Sequence, residues 1–280
     1  MSRSSSQDFT QHLADQLPAG WRPKRLDDIC SFANGLWKGS KPPYSRAKVL
    51  RNTNFNNDGT LDYGDIAELD VQTNQFASRV LATGDIILER SGGGPSQPVG
   101  RVVFFDRSES GYSFSNFTTR IRVNDVERTH PKFLLYYMLY FYDAGHTNAL
   151  QKRTTGIRNL MFSDYQGVVI PLPPLPEQRR IAAVLNAIQD AIAAQEDVIA
   201  AARQFKRSLM QRLFTYGPGR ELAETKETEI GEIPAHWEVL AIGDFADISS
   251  GTTPSRANPD YWLDGSIPWV KTGEVDYRHI

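Results

Sequence analysis

The chain has 280 residues, 40% of them hydrophobic, 11% aromatic and 23% charged, which excludes a disordered tail or a collagen-like fibre and leaves room for one large or two ordinary domains. Its formal net charge is −2, from 31 Lys and Arg against 33 Asp and Glu, so its surface is not uniformly coated in positive charge. Cys30 is the only cysteine, which excludes an intramolecular disulfide and a Cys-rich zinc site.

No apolar run approaches the roughly 18 residues of a membrane span, and the start MSRSSSQDFT lacks the apolar stretch of a signal peptide. A cytoplasmic protein without membrane contact is expected. The acidity is local: residues 1–175 carry 20 basic and 17 acidic side chains, 176–214 carry 6 and 4, and 215–280 carry 5 and 12.

In chain order, Trp21 to Ile170 contains short apolar segments bounded by Gly, Pro, Asn and Asp: Lys48 to Leu50, Val80 to Leu81, Asp85 to Leu88, Arg101 to Phe105, Thr118 to Val123 and Gly167 to Ile170. These predict strands. Pro131 followed by the apolar run from Phe133 to Phe141 predicts a mostly buried helix with Pro in its first turn. The region is therefore read as an α+β globule. Its Gly- and Asn-rich loops, Asn52 to Gly59 and Ser91 to Gly100, are where binding residues are expected.

From Ile170 to Pro176 the repeated prolines predict a stiff extended spacer. From Pro176 to Phe214 there is no Gly and no further Pro, which predicts one helix of roughly 58 Å. Its apolar and small residues recur with 3,4 spacing through Ile181, Val184, Ile188, Val198, Phe205 and Leu209, widened by Leu185 and Ile192. Such a stripe calls for a second long helix as partner.

The sequence also repeats. A shift of 216 positions places Leu17-Pro18-Ala19-Gly20-Trp21 on Ile233-Pro234-Ala235-His236-Trp237 and Gly35 on Gly251. With further gaps, Leu50-Arg51-Asn52 falls on Val270-Lys271-Thr272 and Leu61-Asp62-Tyr63 on Val275-Asp276-Tyr277. A period this long means duplicated domains. The expected organisation is a tail at 1–16, a first globular domain at 17–170, a helical spacer at 171–216, a linker at 217–230 and an incomplete second domain at 231–280.

Motifs for catalysis are absent. There is no Gly-x-x-x-x-Gly-Lys-Ser/Thr loop, so Ser91-Gly92-Gly93-Gly94 is read as a hairpin loop. Asn258-Pro259-Asp260-Tyr261 is read as a turn. The five histidines show no metal-ligand spacing, and no nucleophile elbow occurs. Two stretches without carboxylates, Ile29 to Asn57 and Ala144 to Ser163, instead collect basic, aromatic and amide side chains. These supply donors for phosphates and flat groups for bases.

The string IPLPPLPEQRRIAAVLNAIQDAIAAQEDVIAAARQFKRSLMQRLF, the tandem modules and the starts PAGW…LDDI and PAHW…IGDF resemble the specificity subunit of type I restriction-modification enzymes. The resemblance implies a non-catalytic subunit that reads a bipartite double-stranded DNA site and directs adenine methylation and restriction. It implies target recognition domains separated by antiparallel helices that set the half-site spacing. It implies partners as well: methyltransferase subunits that bind S-adenosylmethionine and motor-nuclease subunits that use ATP, with no cofactor or metal in this subunit itself.

By the same carry-over, the DNA-facing candidates are Lys38, Lys41, Lys48, Arg51 and Asn52, then Arg90, Ser91, Gly92 and Gly93, then Lys152, Arg153, Thr154 and Thr155. Ile181, Val184, Leu185, Ile188, Ile192, Val198, Phe205 and Leu209 are the helix-packing candidates. Because the second module stops at Ile280, a half-subunit dimerising through the 176–214 helix is one expectation. Two alternatives are the DNA-recognition part of a fused methyltransferase-nuclease and a coiled-coil adaptor without a DNA role.

Overall fold

The computed structural model describes residues 17–37, 39, 41–94, 97–154, 157–219, 224–265 and 269–270, with the backbone alone at 153 and 154. The chain divides into two compact units, Met1–Asp197 and Val198–Ile280.

The first unit is built on an antiparallel sheet of β2 (Cys30–Asn34), β9 (Thr118–Val123), β5 (Ile86–Glu89) and β7 (Val102–Phe104), in the order β2-β9-β5-β7. All four residues of β5 are buried, because both faces of this strand are covered. Side chains alternate across a strand. Ile86 and Leu88 therefore pack with Leu134, Leu135 and Met138 of helix α3 (Pro131–Asp143) and with Tyr165 of α4 (Phe162–Gln166). Ile87 faces the other way, into a cluster with Leu50, Phe55, Val103, Phe105 and Phe114.

That second cluster is closed by a three-stranded sheet in the order β4-β3-β8. In it β3 (Tyr44–Leu50) runs antiparallel to β4 (Ala67–Gln72) and parallel to β8 (Tyr112–Phe114). Helix α2 (Thr73–Ala77) follows β4. Short helix α1 (Leu26–Ile29) follows β1 (Arg22–Arg25), which pairs with β12 (Val169–Leu172). β6 (Ser91–Gly93) joins the hairpin of β10 (Gln151–Thr154) and β11 (Ile157–Leu160), in the order β10-β11-β6.

Three expectations change. Val80–Leu81 is not a strand. It enters a turn in which the Asp85 carboxylate accepts from the Ala82 amide (2.8 Å) and from Arg122 (2.6 and 2.7 Å). Ser91–Gly93 is a strand and not a hairpin loop, because β11 supplies the pairing that its own composition does not signal. The proline spacer begins as β12, with Pro171 opposite Pro23, an arrangement tolerated in a two-stranded ribbon where one pair in two exchanges no N–H.

Helix α5 runs Leu175–Tyr216, about 63 Å at 1.5 Å per residue. It ends on Gly217, at φ +79°, whose amide donates to the Leu213 carbonyl (2.9 Å), a left-handed C-terminal cap. Its start is fastened to the globule. Glu177 accepts from the Trp21 indole (3.2 Å), and fully buried Gln178 accepts from the His130 amide (2.8 Å). The Gln178 amide donates to the carbonyls of Arg128 (2.9 Å) and Pro173 (2.7 Å).

In the second unit β13 (Thr225–Thr228) and β14 (Gly231–Pro234) form a hairpin. The duplicated motif keeps its local geometry: Trp237 N donates to Pro234 O (2.9 Å) as Trp21 N donates to Pro18 O (3.0 Å). Asn258 caps a 3-10 turn over Pro259–Tyr261. The aligned Lys271-Thr272 and Val275–Tyr277 lie outside the described residues, as do residues 1–16.

Candidate nucleic-acid interface

The three basic, glycine-rich clusters are far apart in sequence, and the fold brings parts of all three together. Gly93 pairs with Arg158 and Ser91 with Asn159, stitching β11, and β10 through it, to β6. The Asn52 amide donates to the Ser91 carbonyl (2.8 Å), which ties the end of β3 to the same strand. Arg90 N and Ser91 N both donate to the Phe117 carbonyl (2.9 and 3.2 Å), leaving the Phe117 ring 49% exposed beside them.

Two glycines shape this edge. Gly92 stands at φ +106°, and a Cβ there would lie 3.1 Å from Asn52 Nδ2. At Gly93 a Cβ would lie 2.7 Å from the Gln97 carbonyl. Only glycine adopts the first conformation freely, and only glycine fits the second space.

The charged candidates separate into free and engaged groups. Lys41 is exposed in the loop before β3, and Lys152 is exposed on β10 opposite Asn159. Arg51 makes an exposed ion pair with Asp65 (3.3 Å), a contact weak enough to exchange for a phosphate. Lys48 lies 5.0 Å from the Tyr112 ring centre. Arg90 is turned inward, stacked on Phe162 (4.4 Å) and bonded to Asn34 Oδ1 (2.5 Å), and burial lowers its pKa.

Asn52 is engaged too. Its Nδ2 donates to Glu89 Oε1 (2.8 Å) as well as to Ser91 O. Both amide hydrogens are thus committed, and the bidentate contact by which Asn reads adenine needs that same nitrogen. Lys38 and Thr155 lie outside the described residues, and for Arg153 and Thr154 only the backbone pairing with Arg158 and Ile157 is described.

Sequence reasoning missed Glu89, Arg101 and Asn34. The signal available was a carboxylate closing an apolar strand, since a buried acid must find a partner. Nothing in the sequence names Arg101 as that partner.

Of the helix candidates, Ile181 is half-buried against the globule. Val184, Leu185, Ile188, Ile192, Val198, Phe205 and Leu209 are all exposed. Cys30 is buried, and desolvation pushes its thiol up to about 12, so it is not a nucleophile near neutral pH. Among the described residues no group of three or more His, Cys, Asp or Glu could hold a metal ion, and no helix is long and apolar enough to cross a membrane.

Residues 18–202 match the family of the type I restriction modification DNA specificity domain. The chain belongs to that family. A protein of Methanocaldococcus jannaschii described as the MjaX type I restriction enzyme specificity subunit is 25% identical over 98% of this chain and 64% of its own length. The MjaVIII specificity subunit of the same organism is 31% identical over 54% of this chain and 36% of its own. The chain thus spans less than two thirds of either relative. Among solved structures, the HsdS subunit of Thermoanaerobacter tengcongensis is similar at 23% identity and a TM-score of 0.44, covering 77% of this chain and 53% of that one.

Proposed function

We propose that this chain recognises duplex DNA as a non-catalytic specificity component of a type I restriction-modification complex, acting in the cytoplasm. The family match over residues 18–202 carries the reading. The reading edge is formed by Ser91–Gly93, strands β10 and β11, and Arg51, with Lys41, Lys48 and Lys152 available for phosphates. Phosphate contacts set register and base contacts set sequence.

The finer parts of the reading are a bipartite site, adenine methylation and restriction carried out by partners. S-adenosylmethionine belongs to the methyltransferase subunits and ATP to the motor-nuclease subunits. The exposed stripe of α5 supports helix pairing, with another subunit or in a homodimer, and a helix of fixed length is suited to setting the distance between two half-sites.

The test is selection from a randomised duplex library by the full chain, alone and with a type I methyltransferase subunit, at several salt concentrations. Enrichment of one defined motif supports the reading. Binding that varies only with salt, without any enriched motif, overturns it.

A further inference from the structure

Beneath the reading edge lies a charged pair that the proposed contacts do not use. Glu89 and Arg101 are 2% and 7% exposed, and Arg101 Nε donates to Glu89 Oε2 at 2.8 Å, with Nη2 at 3.2 Å from Oε1. The alternation along β5 turns Glu89 to the side of Ile87, away from helix α3.

The pair reaches outward through three backbone carbonyls and one side chain. Arg101 donates to Phe55 O (3.2 Å) and Asn52 O (3.3 Å). Glu89 Oε1 accepts from Asn52 Nδ2 (2.8 Å), and that nitrogen also donates to Ser91 O (2.8 Å). The turn after β3 and strand β6 are therefore held to one buried point. An ion pair this deep contributes little net stability compared with apolar residues of the same volume, yet breaking it leaves an unpaired buried charge. Its geometric effect here is to hold the turn after β3 and strand β6 in one register.

We propose that Glu89 and Arg101 are positioning residues for DNA reading, acting through Asn52 to align the Arg51–Asn52 turn with the Ser91–Gly93 edge. This rests on the DNA-recognition reading above. The buried pair does not itself reach DNA. Asn52, whose amide hydrogens are taken, aligns the edge and does not read a base.

The experiment uses the full chain, the duplex enriched in the library selection and a scrambled duplex of equal length. Glu89→Gln removes the charge and places an amide nitrogen or oxygen where only an acceptor serves both partners. Asn52→Ala cuts the link while leaving the Glu89–Arg101 pair intact.

Each single variant is expected to lose about 10- to 100-fold in affinity for the enriched duplex, with the scrambled duplex and the salt slope unchanged. Reselection is expected to show relaxed preference at several base positions together. A base-reading residue would relax one position only. Relaxation of a single position in Asn52→Ala, or full discrimination retained by it, overturns the proposal. Asn52→Ala decides the matter if Glu89→Gln fails to fold. If the parent chain enriches no motif at all, the DNA-recognition reading falls, and this inference falls with it.

Discussion

The residue Gly35 and its counterpart in the repeat, Gly251, have the same side chain and opposite surroundings. A Cβ at Gly35 would lie 1.7 Å from the Ser115 carbonyl oxygen, whereas at Gly251 nothing lies within 4 Å. Gly35→Ala must push β2 from the 114–118 turn, a backbone displacement expected to cost about 3 kcal/mol. Gly251→Ala is expected to change stability by less than about 0.5 kcal/mol. Urea unfolding of the two variants, compared at equal m-value, measures the difference.

His130 has a pH signature of its own. Its Nδ1 accepts from the Phe133 amide at the start of α3 (3.4 Å). Burial first, then the charges of Arg179 and Lys132, lower its pKa below the ordinary 6.5. Between the folded and unfolded values the unfolded chain binds more protons, so this contribution is present above 6.5 and is lost as pH falls toward the folded value. His130→Asn keeps a capping acceptor and removes the titration. Its melting temperature is expected to fall less than the parent's between about pH 7.5 and about pH 5.5, the range in which histidine titrates.

At the scale of elements, the start of α5 explains why two distant motifs occur in one chain. Pro-Glu-Gln at 176–178 and Trp21 meet because the Trp21 indole donates to Glu177, while Gln178 satisfies one amide and two carbonyls. Gln178→Leu would fill the space and leave these groups unpaired. At about 1–3 kcal/mol for a buried group without a partner, a loss near 3 kcal/mol is expected in urea unfolding. Gln178→Glu keeps the acceptor for His130 N but turns a buried carboxylate toward the Arg128 and Pro173 carbonyls, and is expected to lose at least as much.

For the whole molecule, helix α5 presents Ile188 and Val198 at 53% and 60% exposure. Exposed apolar residues recurring on one helix face mark a surface that packs on something else. Ile188→Glu combined with Val198→Glu is expected to leave the unfolding of the first unit within about 0.5 kcal/mol. Self-association, or capture of a methyltransferase subunit, is expected to weaken at least about tenfold, which corresponds to 1.4 kcal/mol. Light scattering of each mixture reads it, and unchanged association would remove the stripe from the interface.

Periodicity and punctuation were enough for α3, for α5 to within a residue or two at each end, and for strand β9, because local spacing and proline positions decide those elements. The duplicated Pro-x-x-Trp motif was legible as a repeat, whereas the four-residue turn it closes in both copies came from the structure. Strands β6, β10 and β11 were not, because Ser91–Gly93 becomes a strand only when the hairpin 60 residues later pairs with it. The basic clusters could be found by composition alone. Which of their side chains stay free was decided by tertiary contacts: Phe162 and Asn34 take Arg90, Glu89 takes Asn52, and Arg101, just before β7, reaches Glu89 and the Asn52 carbonyl. Hydrogen bonds and ion pairs depend on distances of about 3 Å between groups, and sequence separation carries no such distance until the chain has folded.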